Sequence, residues 1–250
     1  MTGPATSAVA SAGLARWIPA EWRDFAGFLR RPALPQQVTG IRLAALGATL
    51  RLFGLDLLLM GLLIAIAALA TALGFHLPEN AIDSLDLGPL WLTIIIVVAP
   101  IAEELVFRSW LSGRPGHVTA AIAMLIGIAL PVISGPQGHP ILLLGSVAIA
   151  VVVALGLLFW LRGRPPFPWF GRHLAWFYAA SALLFASAHL ANYTQGASLV
   201  LLVLVVPQLI AGLILGYARI TYGLWSDILL HMLHNGLLIS LVVLQKGMGV

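Results

Sequence analysis

The chain has 250 residues, 60% of them hydrophobic and only 9% charged, with a mean hydropathy of +1.01. A water-soluble domain of this length carries about 25% charged residues, so a soluble fold is excluded. The formal charge of +4 is dispersed, which excludes a nucleic-acid surface, and the absence of cysteine excludes disulfides and thiol catalysis.

From the N-terminus, residues 1–15 are small and polar and read as a disordered tail with no cleavable signal peptide. Residues 16–52 form an interfacial or cytosolic segment. There Trp17, Trp22, Phe25, Phe28 and Leu29 mix with Arg16, Arg23, Arg30 and Arg31, rings for the headgroup level and arginines for acidic lipid. Residues 53–250 form the transmembrane domain. Apolar runs of about twenty residues cross a hydrocarbon core of ~30 Å as helices. The expected spans are Leu55–Phe75, Leu90–Leu111, Val118–Ile133, Ile141–Leu161, Leu174–Ala191, Leu199–Ala218 and Leu224–Leu244. Leu43–Leu52 either extends the first span or forms a separate turn. The fold class is thus all-α, a polytopic bundle of about seven spans. Pro100 and Pro207 fall inside spans as kinks, and Gly212 and Gly216 give the sixth a small-residue face for close packing.

Arginine sets the orientation. Arg16, Arg23, Arg30, Arg31, Arg42 and Arg51 precede the first span, Arg114 follows the second, Arg162, Arg164 and Arg172 the fourth, and Arg219 the sixth. The alternate loops lack Lys and Arg, and the first carries Glu79, Asp83 and Asp86. The positive-inside rule places the N-terminus in the cytoplasm and the C-terminus outside, in a cell or inner membrane.

Ionisable groups inside spans cost about 2.5–3.5 kcal/mol each on insertion scales and usually face a polar cavity. Glu103, Glu104 and Arg108 lie on the second span, His189 on the fifth, and His231, His234 and Asn235 on the seventh. Structural roles are open to several of them. Glu104 and Arg108 can neutralise each other at i,i+4, and His231 and Asn235 can serve as interhelical glue. Adjacent helical residues diverge by about 100°, so with Glu104 on Arg108, Glu103 is left facing the cavity. There it suits a general base, with His189 as its partner. His231 and Asn235 share one face and suit an oxyanion, while His234 reads as packing behind them. On straight helices Glu103 lies ~10 Å from the inner boundary and His189 ~24 Å, a mismatch left open.

The segments Glu103-Glu104-Leu-Val-Phe-Arg108 (EExxxR), Phe185-Ala-Ser-Ala-His189 (FxxxH) and His231-Met-Leu-His-Asn235 (HxxxN) occur in order, each within a span. The set resembles the CPBP (ABI) family of intramembrane proteases, which includes CAAX-processing type II prenyl endopeptidases and bacteriocin-immunity proteins. The resemblance covers residues 90–244. It implies a peptide hydrolase acting on a membrane-associated peptide or protein in the bilayer, with the same division of labour among Glu103, Glu104, Arg108, His189, His231 and Asn235. FxxxH follows EExxxR at a longer interval than is usual there, because residues 118–161 insert a helical hairpin. A metal-free mechanism is preferred. Zn2+ is the alternative, held by Glu103, His189 and His231 as a two-His, one-Glu set, although no H-E-x-x-H is present. The rival functions are a silent scaffold or immunity factor with the same fold, and a proton-coupled transporter, against which no inverted repeat is found.

Overall fold

The computed structural model describes residues 19–76, 78, 80–81, 85, 87–133, 140–193 and 198–247. The tail at 1–15, Arg16, Trp17, Gly135-Pro136 and the acidic Glu79, Asp83 and Asp86 lie outside the described residues.

A short helix α1 (Ala20–Arg30) precedes α2 (Leu43–Ala72), which is continuous, so Leu43–Leu52 extends the first span. The second crossing, α3 (Pro89–Phe107), is α-helical at both ends and π-helical over Ile94–Val98. A hairpin follows, α4 (Pro115–Ile133) and α5 (Pro140–Trp160), then a single turn α6 (Pro168–Arg172) and α7 (Leu174–Ala188). Next come α8 (Ser198–Leu204), α9 (Val206–Thr221) and α10 (Leu224–Gly247). Among the described residues six stretches are long and apolar enough to cross a membrane, and a further apolar helix runs from Pro115 to Leu130. Exposed Leu58, Leu62, Ile66, Leu144, Val152 and Leu184 leave an apolar outer surface, which only hydrocarbon can solvate without penalty.

Two expected spans are not regular helices. Pro100 has no N–H to offer, so the ladder before it slips into i→i+5 register, with Ala99 N–H bonding Ile94 O. That helix stops at Phe107 rather than Leu111, because Arg108 leaves helical geometry at φ −132 and a 3-10 turn, Ser109–Ser112, follows. The sixth span, expected as one helix over Leu199–Ala218, turns at Val205, and Pro207 starts α9.

The core forms where α9 and α10 meet α2, α3 and α7. Helices α7 and α9 approach closely because Gly212 and Gly216 carry no side chain: a Cβ at Gly216 would stand 2.8 Å from the Tyr178 ring and one at Gly212 3.3 Å from Ala182 Cα. Tyr178 O–H donates to Leu213 O at 2.5 Å across this seam. Helix α1 is docked rather than loose. Phe25 is buried against Tyr217, Trp22 Nε1 donates to Arg51 O at 2.6 Å, and Arg51 makes two 2.6 Å bonds to Glu21.

The α4–α5 hairpin is fastened by Ser146 Oγ–H to Gly127 O at 2.8 Å. Its two ends meet, since Phe167 N–H donates to Gly113 O at 2.9 Å. Gly113 makes that turn at φ +65, and a Cβ there would stand 2.6 Å from the Phe170 ring, so no other residue fits.

Candidate active site

Glu103 and Glu104 begin the last turn of α3, and their environments differ. Glu104 is fully buried. Its Oε1 accepts from Arg108 Nη1 and from His231 Nδ1, the latter at 2.7 Å. Arg108, also fully buried, lays its guanidinium 4.2 Å from the Phe185 ring centroid, a favourable cation–π contact. Glu103 keeps 30% of its side chain exposed and points Oε2 toward His231 Nε2 at 3.8 Å, too far for a hydrogen bond and close enough for one water to bond both from the side.

Each histidine is anchored through Nδ1. His189 ends α7 and opens a 3-10 turn, with Nδ1 2.8 Å from Phe185 O. His231 is tied to Glu104, and His234 is tied to Asp56 Oδ2 at 2.6 Å. An acceptor at Nδ1 fixes the tautomer, so the proton of each neutral ring sits there and Nε2 carries the lone pair. Phe185 joins two of these rings, its centroid 4.6 Å from His189 and 5.6 Å from His231. The axial mismatch between Glu103 and His189 shrinks in the fold. Ser181 Oγ–H bonds Phe107 O at 2.7 Å and sets α7 against α3. From that tie His189 lies about 12 Å and Glu103 about 6 Å along the axes.

Asn235 Nδ2 donates to Ile95 O at 2.9 Å. That carbonyl is the one Pro100 cannot serve in the π register, so Asn235 closes the gap left by the proline and pins the helix two turns before Glu103. An amide nitrogen has two hydrogens, and the second remains for another acceptor.

Three polar residues that matter here do not stand out in sequence. Asp227 is fully buried and within hydrogen-bonding range of Glu104, while neither Asp227 oxygen nor Glu104 Oε2 meets a donor among the described residues; that contact requires a bridging proton or water. Arg219, read from sequence as a topology marker, is 5% exposed and donates to Arg108 O at 3.1 Å and Ser109 O at 2.7 Å. Asp56 is fully buried under His234. The signal available was the one that flagged Glu103, a carboxylate or guanidinium within an apolar run. Each sits near an end of the spans expected from sequence, where charge is ordinary, although the continuous α2 puts Asp56 mid-helix.

A cavity of about 510 Å³ lies between α3 and the α4–α5 hairpin, lined by Leu105, Ser109, His117, Met124 and Leu155. Arg219 also lines it, while Glu103, His189 and His231 do not.

The matching protein-family model is the type II CAAX prenyl endopeptidase Rce1-like family, over residues 86–237, more than half of the chain. The chain belongs to that family. The matched stretch of this Rce1-like protein begins just before α3 and ends within α10, taking in every motif residue named above. No curated protein and no solved structure matches the chain. A catalytic zinc needs three protein ligands and an open position. Among the described residues no three His, Cys, Asp or Glu side chains are grouped to hold a metal ion, and Glu104 is already engaged by Arg108. The set expected from sequence, Glu103, His189 and His231, is thus not grouped to hold such an ion.

Proposed function

We propose that the protein is an intramembrane endopeptidase that hydrolyses a membrane-associated peptide or protein by attack of a water activated at Glu103. The observation that carries this reading is the contrast between adjacent glutamates: Glu104 sealed beneath Arg108 and His231, Glu103 half-buried with an Oε2 that meets no donor among the described residues and lies 3.8 Å from His231 Nε2. A half-buried carboxylate with an oxygen that meets no donor can accept a proton from water. His189, with its lone pair on Nε2, orients that water from the α7 side. The oxyanion formed by attack takes the second N–H of Asn235 and, when the ring is charged, the N–H at His231 Nε2. Helix α3 therefore supplies the base, and α10 the donors.

The arginine pattern orients this site with the N-terminus on the cytoplasmic side of the cell membrane and the C-terminus outside. The hairpin at 118–161 serves as an accessory to the protease core at 90–244.

The test is Glu103→Gln in purified protein, assayed on a membrane-anchored, internally quenched peptide. The amide keeps the size of the side chain and cannot take the proton. Loss of at least ~100-fold in kcat is expected, with folded yield unchanged; full activity in this variant would remove Glu103 as the base. Elemental analysis of active wild-type protein is expected to show no stoichiometric zinc. Near-stoichiometric zinc, with activity lost to a chelator and restored by zinc, would overturn the metal-free route.

A further inference from the structure

Asp56 is fully buried in α2, and its Oδ2 accepts from His234 Nδ1 at 2.6 Å, while Oδ1 meets no donor among the described residues. This is a carboxylate–imidazole pair carried by two helices, one of them, α2, lying before the matched family stretch that begins at residue 86. A carboxylate opposite Nδ1–H fixes the tautomer and orientation of the ring. The Glu104 charge is divided between Arg108 and His231; the Asp56 charge meets His234 alone in the contacts described. Other groups facing this region are Glu103, Glu104 and Arg108 from α3, His189 after α7, Arg219 from α9, and Asp227 and His231 on α10 itself.

His234 is three residues beyond His231, on the same side of α10, with the two ring centroids 6.4 Å apart. Its side chain is 14% exposed, and it lies within electrostatic reach of His189. In a tetrahedral intermediate the oxyanion and the amine nitrogen are separated by about 2.4 Å. A hydrogen bond of about 2.8 Å on each side lets donors some 6–8 Å apart straddle one carbon. The 6.4 Å between the His231 and His234 ring centroids puts the two rings close enough for their Nε2 atoms to serve such a pair.

We propose that His234, held through Nδ1 by Asp56, is the group that protonates the departing amine. The proposal rests on the peptidase reading above and gives the second half of the reaction its own donor. Glu103 takes one proton from water as the oxygen–carbon bond forms. The carbon–nitrogen bond then breaks, its electron pair stays on nitrogen, and His234 Nε2 gives that nitrogen a proton. The proton on Glu103 returns to His234 through water after the products leave, so atoms and charge balance over one turnover. Asp56 is a positioning residue that acts through the ring.

A leaving-group comparison on the full chain tests this. One probe is the membrane-anchored peptide, whose amine must be protonated to leave; the other is a nitrophenyl ester of the same acyl segment, whose phenolate leaves unaided. His234→Gln should lower kcat on the peptide ~100-fold with KM little changed, and on the ester by less than ~3-fold. Asp56→Asn should show the same selective loss, smaller in size. Because both probes are read on one preparation, a variant that folds poorly loses both rates in proportion and leaves their ratio at the wild-type value. An unchanged peptide-to-ester ratio in both variants overturns the proposal. Glu103→Gln should lose both activities, so wild-type protein that cleaves neither probe, or Glu103→Gln that keeps both, defeats the peptidase reading instead.

Discussion

Arg108 carries no chemistry in this scheme, and the site depends on it. Its guanidinium partners the fully buried Glu104 carboxylate, so Arg108→Ala strands that charge. Breaking a buried pair from one side costs about 3–5 kcal/mol, and the variant should show reduced folded yield and a lower Tm in detergent, measured beside Glu103→Gln, which should not. Arg108→Lys should rescue only part of the loss, because a point charge cannot reproduce the planar guanidinium that also lies on Phe185. The six motif residues were legible as residues that do not belong in hydrocarbon, and the spacing of Glu104 and Arg108 gave their pairing. The Nδ1 anchors were not. A contact such as Asp56 with His234 spans 178 residues, and no periodicity encodes a partner that far away. Asn235 carries a double load for the same reason: its bond to Ile95 O repairs the break made by Pro100 in another helix.

Helix packing makes different demands. At Gly216 an added Cβ would meet the Tyr178 ring at 2.8 Å, and Tyr178 is tied to Leu213 and cannot swing away freely. Gly216→Ala should therefore destabilise the α7–α9 seam by about 1–3 kcal/mol, the usual cost of overpacking, seen as a fall in Tm; an unchanged Tm would mean the seam relaxes. The docking of α1 is sensitive to pH. The Arg51 guanidinium beside Glu21 holds its carboxyl below the usual carboxylate range. A lowered folded value stabilises the docked state at neutral pH, and this contribution is lost as pH falls through that value. Trp22, bonded to Arg51 O, reports it. Its emission, taken as the difference from Trp22→Phe, should shift to the red in acid below about pH 4, and Glu21→Gln should show the shifted spectrum at pH 7. The mixture of rings and arginines marked this segment as interfacial, while its anchorage on α2 and α9 depends on side chains brought together by folding.

Across the whole molecule, we propose that α4 crosses along with the six long apolar stretches, and the resulting odd parity puts the two termini on opposite sides. A reporter active only in the cytosol, fused after Val250, should be silent; strong activity would require an even count. The spanning, all-helical class could be read from composition because each helix must satisfy its own backbone in hydrocarbon, and the expected seven spans lie close to the six found among the described residues. Irregularities such as the π turn of α3 and the break at Val205 were marked by Pro100 and Pro207, but only packing decides what a proline does to its neighbours. The hairpin of α4 and α5 has a property of another kind. Its ends are joined by one peptide hydrogen bond, Phe167 N–H to Gly113 O, so residues 114–166 can be replaced by a two- or three-residue linker without moving either flank. Such a deletion should leave a protein that still reaches the membrane and keeps its Tm within a few degrees. In evolutionary terms the neck makes the hairpin a single transferable unit. One insertion or excision at Gly113 adds or removes two crossings together, preserving the sidedness of everything downstream, so a lineage could gain or lose it without passing through an inverted ancestor.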